Sequence, residues 1–208
     1  MPRQLGVAER RRQPYWDTLI RGSGAAGAAT WAPRTIGALA NSPIRLFSSA
    51  GTGDHAITNM EGAGQFPGDE MFNIYAMRVN LYFNQCATAG GLTDYHFYHR
   101  AVSQLFWEFK VSAKQMFLAP SFFLPAGGGL HGDLGTSTDV YFTNGVPSNE
   151  AVTELVKPIS LEVRQSFQVN CTVAACGGFN WATDMGNLTA GSAYVSFIID
   201  GVHLRDVV

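Results

Sequence analysis

The sequence predicts an all-β fold: an antiparallel two-sheet sandwich, a single jelly roll, with an extended N-terminal arm. After residue 43, apolar and polar residues alternate with a period of two through several long segments. This pattern is expected where one face of a sheet is buried and the other is wetter. Turn dipeptides, among them Asn144-Gly145 and Asp200-Gly201, separate these segments. Helical signals are scarce, and short helices are predicted only near 93–100 and 148–155.

The clearest alternation lies in residues 159–173, where Gln165 is the one polar residue on the apolar face. Residues 71–84 form the longest candidate strand, which follows the turn signal Pro67-Gly68 and carries apolar residues on both faces. The other candidate strands are 43–49, 101–111, 114–118, 140–143, 193–199 and 202–208. This many short antiparallel strands in one domain are typical of a sandwich, and we favour the jelly roll among them.

The N-terminal residues differ from the rest of the chain in charge. Residues 1–45 hold seven arginines and two acidic residues, a net +5, whereas residues 46–208 hold seven basic and fourteen acidic residues, a net −7. The leader is also rich in Gly and Ala. We therefore divide the chain into a basic Gly/Ala-rich arm, 1–42, and a sandwich domain, 43–208, and expect the sandwich to fold without the arm.

The chain carries few charges for its length. Only 14% of its 208 residues are charged, whereas about 25% is typical of a soluble domain. Hydrophobic residues make up 46% and aromatic residues 12%, so intrinsic disorder is not expected. A monomer of this composition would expose an unusual amount of uncharged surface, which favours a protein whose surface is covered by neighbours.

Two segments supply candidate assembly contacts. The arm carries consecutive arginines and spaced aromatic residues, which suit anionic partners and protein interfaces, respectively. The apolar loop 117–125 contains Pro120 and Pro125, which are incompatible with an ordinary central strand. This loop is expected either to pack beneath a sheet or to be buried against another subunit. The candidate contacts are Arg10, Arg11, Arg12, Tyr15, Trp16, Trp31, Phe117, Phe122 and Phe123.

No motif indicates catalysis, a cofactor or a metal. Residues 22–27 match GxGxxG, but the preceding strand, the following helix and the later acidic residue of a dinucleotide site are missing. His96, His99 and His131 do not form a recognisable ligand set. None of the three cysteines lies in a CxxC, and Cys171 is expected to point into the core. We therefore expect no enzyme, no cofactor, no metal and no small-molecule substrate.

The segment 56–79 contains a lead-in with the pattern T-N-(apolar)…G-x-(apolar)-P-x-D-x-x-F, followed by a long candidate strand. Residues 196–205 form a closing strand with an acidic-Gly step at Asp200-Gly201. Together these features, about 40 of the 208 residues, resemble capsid proteins of icosahedral bacterial viruses that are built on a single jelly roll. The pattern residues are Thr58, Asn59, Met60, Gly64, Phe66, Pro67, Asp69 and Phe72.

The resemblance implies a structural virion protein that forms or cements an icosahedral shell through subunit contacts, with no catalytic residues. Its expected partners are copies of itself and other capsid proteins, with the genome or an internal membrane as a further partner of the arm. Its expected location is the virion, after assembly in the host cytoplasm.

The first alternative function is a carbohydrate-binding or receptor-binding β-sandwich, as in a minor capsid protein or adhesin. In that case Trp107, Trp181 or loop tyrosines would stack on sugar rings. A jelly-roll metalloenzyme is a third possibility, although the His-x-His ligand pair of such enzymes is absent.

Overall fold

A computed structural model of the chain describes residues 8–22, 43–48, 58–66, 70–84, 102–129, 131–133, 141–144, 148, 150–173 and 192–206. The strands are β1 (Ala8–Gly22), β2 (Ile44–Leu46), β3 (Met71–Asn84), β4 (Leu105–Val111), β5 (Lys114–Pro120), β6 (His131–Asp133), β7 (Tyr141–Thr143), β8 (Glu154–Leu161), β9 (Phe167–Val173) and β10 (Ser192–Asp206). A 3-10 helix, Ser121–Phe123, follows β5. None of the helical residues described forms a segment of the length and apolarity needed to cross a bilayer.

The strands form two antiparallel sheets that pack face to face. The larger sheet has six strands in the order β1-β10-β3-β7-β6, with β8 also paired to β3, and the smaller sheet has the order β2-β9-β4-β5. Apolar side chains from both sheets form one core cluster, in which the rings of Trp107 on β4 and Phe197 on β10 have centroids 5.2 Å apart. The predicted all-β class with antiparallel sheets is confirmed.

A β-bulge explains why both faces of β3 are apolar in the sequence. Opposite β10, Ala76 pairs with Asp200 and Ile74 pairs with Gly201, so Tyr75 is an extra residue in β3. Ile74 is buried before the bulge, and from Met77 onward the alternate, odd-numbered residues are buried. The bulge therefore brings apolar residues of both sequence phases into the same core, and it leaves Tyr75 exposed.

Gly201 is required where the bulge brings β3 close to β10. A Cβ atom at this position would lie 2.3 Å from the Phe72 ring and 2.5 Å from the Asn73 carbonyl oxygen. Because the carbonyl belongs to the backbone, a larger residue cannot be accommodated by a side-chain movement alone. The Asp200-Gly201 dipeptide therefore marks a bulge and not a hairpin turn.

β1 corrects the predicted N-terminal arm. It pairs with β10 at every position from Ala8 to Gly22, and Tyr15 and Leu19 are buried in the core. The sandwich therefore begins by residue 8, and the prediction of an arm over 1–42 is wrong for residues 8–22. The Gly/Ala-rich run hid this strand, because only part of β1 alternates between apolar and polar residues. Residues 1–7 and 23–42 lie outside the described residues.

The candidate strand 159–173 is two strands joined by a reverse turn. β8 ends at Leu161, β9 begins at Phe167, and Arg164 in the turn has a φ of 60°. Gln165, the polar residue in the alternating pattern, closes the turn: its amide donates to the Glu162 carbonyl, and its side-chain oxygen accepts from the Glu162 amide. The prediction of one continuous strand is wrong because a short turn preserved the alternation across two strands.

The remaining elements differ from the predictions mainly at their ends. β4 begins at Leu105 after a helical turn at 102–104, and the two candidate strands after residue 192 are the single strand β10. The helix predicted at 148–155 is wrong, because residues 150–151 form a turn and β8 begins at Glu154. The helix predicted at 93–100 lies outside the described residues.

Deleting residues 1–42 should unfold the sandwich. The deletion removes β1, and burial of Tyr15 and Leu19 alone contributes about 3–6 kcal/mol, against a total stability of about 5–15 kcal/mol for a typical domain. Circular dichroism with thermal melting measures the effect. Deleting residues 1–7 is the control and should leave the melting temperature unchanged, because it spares β1. A cooperative melt of the 43–208 fragment would contradict the assignment of β1 to the core.

Candidate interaction surface

The apolar loop predicted at 117–125 begins in β5 and is anchored to both sheets. The Ser121 hydroxyl accepts a hydrogen bond from the Trp107 indole N–H of the smaller sheet at 2.7 Å. Leu124 is buried, and its carbonyl accepts the Val79 amide of the larger sheet at 2.7 Å. The loop backbone is thus fixed at one side of the sandwich, and its conformation does not depend on a partner.

The same loop holds two phenylalanines in solvent. Phe122 and Phe123 on the 3-10 helix are 60% and 50% exposed. The Phe123 carbonyl accepts a hydrogen bond from the Thr153 hydroxyl at 2.9 Å, which ties the 3-10 helix to the residues that precede β8. Phe117 instead packs against the core, and its ring centroid lies 6.5 Å from that of Phe123. Both predicted arrangements therefore occur, with one part of the loop beneath the sheets and another facing outward.

The exposed apolar residues continue from the loop onto β5 and β8. Leu118 and Met116 on β5 are exposed, and Val156 on β8 is fully exposed at 107%. Met116 and Val156 line one groove, of about 770 Å³, between the two strands. We call this surface the β5–β8 edge; it consists of Met116, Leu118, Phe122, Phe123 and Val156. Contiguous exposed apolar surface of this kind marks interaction sites in soluble proteins.

The two strands of this edge also have free backbone groups. In the part of the chain that the structure describes, β5 pairs only with β4, and β8 pairs only with β3. An outermost strand presents unpaired N–H and C=O groups that can pair with another chain. Natural edge strands usually carry charges that prevent such pairing, whereas Leu118 and Val156 are apolar here.

The outer face of the smaller sheet is polar and internally satisfied. Glu108 on β4 accepts a hydrogen bond from the Asn170 side chain of β9 at 2.9 Å and forms an ion pair with Lys110 at 2.7 Å. Hydrogen bonds from Lys110 and Asn170 lower the pKa of the Glu108 carboxyl. This face therefore offers fewer unsatisfied contacts to a partner than the β5–β8 edge does.

The predicted contacts of the N-terminal residues divide between surface and core. Arg10, Arg11 and Arg12 are exposed on β1, which is an outer strand of the larger sheet, and Trp16 is half-buried. Tyr15 is only 2% exposed, so the prediction that it is a surface contact is wrong. Its place on β1 points it into the sandwich, where its ring packs against Phe66 and Phe72. Trp31 lies outside the described residues.

Residues of the T-N pattern cover part of the β1 edge. The Asn59 side chain accepts the Trp16 amide at 2.9 Å and donates to the Pro14 carbonyl at 2.8 Å, as a paired strand would. The Thr58 hydroxyl donates to the Trp16 carbonyl at 3.0 Å. The outer side of β1 is therefore blocked near Trp16, whereas the arginines near its start remain exposed.

A buried polar chain lies at the end of the sandwich near the start of β3. The Tyr15 hydroxyl lies 2.8 Å from Nε2 of His203, and Nδ1 of His203 lies 3.2 Å from the Glu70 carboxylate. His203 is 1% exposed, and its ring is surrounded by those of Tyr15, Phe66 and Phe72. In the neutral state, Nδ1–H donates to Glu70, while Nε2 accepts from the Tyr15 hydroxyl.

Burial dominates the electrostatics of this chain. Desolvation lowers the pKa of His203, with the Glu70 carboxylate opposing and Arg11 reinforcing the effect. Desolvation also raises the pKa of Tyr15 to about 12. A carboxylate, an imidazole and a hydroxyl in series resemble a catalytic relay, but the buried Tyr15 hydroxyl is out of reach of a substrate. The chain instead links β1, β10 and the start of β3 in the core.

Other chemistry-bearing residues have structural positions. The described residues contain no group of three or more His, Cys, Asp or Glu side chains suited to a metal ion. Cys171 is buried as predicted, and desolvation raises the pKa of its thiol. Trp107 is fully buried, so its predicted role in stacking on sugar is wrong. Trp181, His96 and His99 lie outside the described residues.

Sequence reasoning missed Val156, Leu118 and His203. Val156 lay in a predicted helix, and Leu118 lay at the end of a candidate strand whose position at the sheet edge depends on long-range pairing. The available signal was the apolar pair Leu155-Val156 next to Lys157-Pro158, since proline is confined to edge strands or bulges within sheets. His203 falls in a short alternating segment, which does not reveal that Tyr15 would contact it.

Neither protein-family models nor curated proteins include a match to this sequence. Function must therefore be inferred from the strand pairing, the exposed surface and the composition of the chain.

The stability of the protein should fall as the pH drops below about 6.5. Because the pKa of His203 is lowered from its ordinary value of 6.5 in the folded state, the unfolded chain takes up a proton first. The contribution of the neutral imidazole is complete above pH 6.5 and is lost as the pH falls through the folded-state pKa. Urea unfolding between pH 5 and 8 measures this dependence.

His203→Gln is the control for this titration. The variant should be less stable than the wild type at pH 7.5, because a packed ring is replaced, but its stability should change less between pH 7 and pH 5. Equal pH dependence of the two proteins would show that another group is responsible.

Proposed function

We propose that this protein is a structural subunit of an icosahedral viral shell, built on a single jelly roll and joined to its neighbours through the β5–β8 edge. The strand pairing supports the jelly roll. The antiparallel pairs β1–β10, β2–β9, β3–β8 and β4–β5 are nested, so that the first strand pairs with the last and the innermost two form a hairpin. A hairpin-like ribbon rolled into two sheets has this arrangement, and β6 and β7 are an insertion between its fifth and sixth strands.

The fold alone does not select the function, because jelly rolls serve as viral shell subunits, lectins and cupin enzymes. The observation that carries the proposal is the β5–β8 edge, in which fixed backbone holds Phe122 and Phe123 in solvent beside the exposed Val156. Aromatic side chains on a rigid backbone lose little entropy on binding and are common at the centres of interfaces.

The low charge content supports the same conclusion. Charged residues are depleted from the centres of protein interfaces, because each must lose its water on binding. A shell subunit has neighbours on several sides, and so a larger share of its surface must tolerate burial than in a monomer. A charged fraction of 14% is consistent with this requirement.

The exposed arginines of β1 suggest a second class of partner. Arg10, Arg11 and Arg12 are consecutive, exposed and close to one end of the sandwich. They provide positive charge that the viral genome, an internal membrane or an acidic protein surface would neutralise. In this proposal, copies of the chain and other shell proteins are the principal partners, and the virion is the place of function.

The full-length protein should form rings, capsomers or closed particles as its concentration rises. Sedimentation velocity over a concentration series, with negative-stain electron microscopy of the heavier species, measures this association. The double variant Phe122→Ser, Phe123→Ser should weaken association at least about tenfold, since truncation of a central aromatic contact typically costs about 2 kcal/mol. The variant should retain its fold, because both side chains are largely exposed.

Met71→Ser is the matched control, because Met71 is a similarly exposed apolar residue on β3 and away from the β5–β8 edge. Its association should equal that of the wild type. A wild-type protein that remains monomeric at the highest soluble concentration would contradict the proposed shell function.

A further inference from the structure

The groove at the β5–β8 edge has an apolar floor and lysines as its charged residues. Met116, Leu155, Val156 and Pro158 line it, and its only charged lining residues among those described are Lys114 and Lys157. Both lysines are exposed. The other two lysine-and-carboxylate contacts of the sandwich surface are arranged differently, since Lys110 is paired with Glu108 whereas Lys114 and Lys157 have no ion pair in the described ranges.

This positive groove lies on an acidic body. Residues 46–208 carry seven basic and fourteen acidic groups, so a groove with two lysines and no carboxylate is opposite in sign to the surface around it. A second copy of the chain presents the acidic body to this groove, and the two surfaces are electrostatically complementary. The exposed acidic residues of the described part include Glu61, Glu150, Glu154 and Glu162.

The shape of the groove favours an extended occupant. It runs between β5 and β8, each of which has one unpaired edge in the described part of the chain. Free strand edges bind extended segments through backbone hydrogen bonds, while pockets between them take alternate side chains. Apolar side chains would enter beside Met116 and Val156, and carboxylates would reach the two lysines.

We infer that the groove between β5 and β8 receives an extended, acidic and apolar segment of a second copy of this chain, with Lys114 and Lys157 binding its carboxylates. The inference rests on the proposed function and specifies the partner of the same surface. The groove of one copy takes a different part of the next copy, so the contact is head-to-tail. Such contacts form closed rings when the rotation between copies closes, as a shell requires.

Zero-length carbodiimide coupling identifies the occupant directly. The reagent joins a lysine amine to a carboxylate only where the two are in contact. The assembled full-length protein is prepared from equal amounts of ¹⁴N-labelled and ¹⁵N-labelled chains, coupled, digested and analysed by mass spectrometry. We expect peptides with Lys114 or Lys157 to be joined to acidic peptides of the other isotope. Coupling only within one isotope would show that the chain covers its own groove and would overturn the inference.

Charge reversal tests the contribution of the lysine. Lys157→Glu should weaken association at least about tenfold, because like charges facing each other across an interface are strongly unfavourable. Arg45→Glu is the charge-matched control: Arg45 is exposed on β2, at the opposite edge of the smaller sheet, and its association should stay within about twofold of the wild type. Circular dichroism verifies that both variants are folded.

The outcomes separate this inference from the proposed function. If the wild type assembles and Lys157→Glu assembles as well as Arg45→Glu does, the inference is wrong and the shell function stands. If Phe122→Ser, Phe123→Ser also assembles normally, the β5–β8 edge is not the interface. A wild type that stays monomeric overturns both proposals.

Discussion

The packing of the Phe66 ring between the two sheets is the contact on which the closed end of the sandwich depends. Its centroid lies 4.2 Å from that of Phe72 and 4.6 Å from that of Tyr15 in the larger sheet, and 4.6 Å from that of Phe167 in the smaller sheet. The Gly64 carbonyl accepts the Phe167 amide at 2.8 Å, with Gly64 at a φ of 61°. A Cβ at Gly64 would lie 2.8 Å from the Phe167 carbonyl oxygen, so glycine is needed there.

This contact gives a physical reason for the pattern seen before the long strand. Thr58 and Asn59 hold the edge of β1, Gly64 allows close approach to β9, and Phe66 fills the space between the sheets. The segment therefore connects both sheets without belonging to either one. It also surrounds His203 with aromatic rings, so the burial that lowers the pKa of that imidazole follows from the same packing.

The sequence was most informative where alternation persisted within one strand. β3 has the predicted ends, and Cys171 and its neighbours on β9 face the core as expected, because each local pattern reflects one buried face. β1 was missed because its arginines and proline break the alternation and its apolar part is short. The turn between β8 and β9 was missed because it preserves the period of two, although Val163 within it is 42% exposed.

The candidate site was less accessible to prediction than the fold. Phe122 and Phe123 were identified because three phenylalanines near two prolines are unusual in any segment. Tyr15 was misplaced, since an aromatic residue in a basic segment gives no local sign that a strand from the other end of the chain will cover it. The groove itself joins β5 to β8, about 40 residues apart in sequence, and no local pattern reveals such a neighbour.

The pairing of β1 with β10 also sets the order of events during synthesis. β1 leaves the ribosome early, but its partner is not complete until residue 206 has been translated. Tyr15 and Leu19 therefore have no finished core to enter while the chain is growing. A nascent chain would present an incomplete sandwich, and only a finished polypeptide would offer neighbours a fully formed subunit.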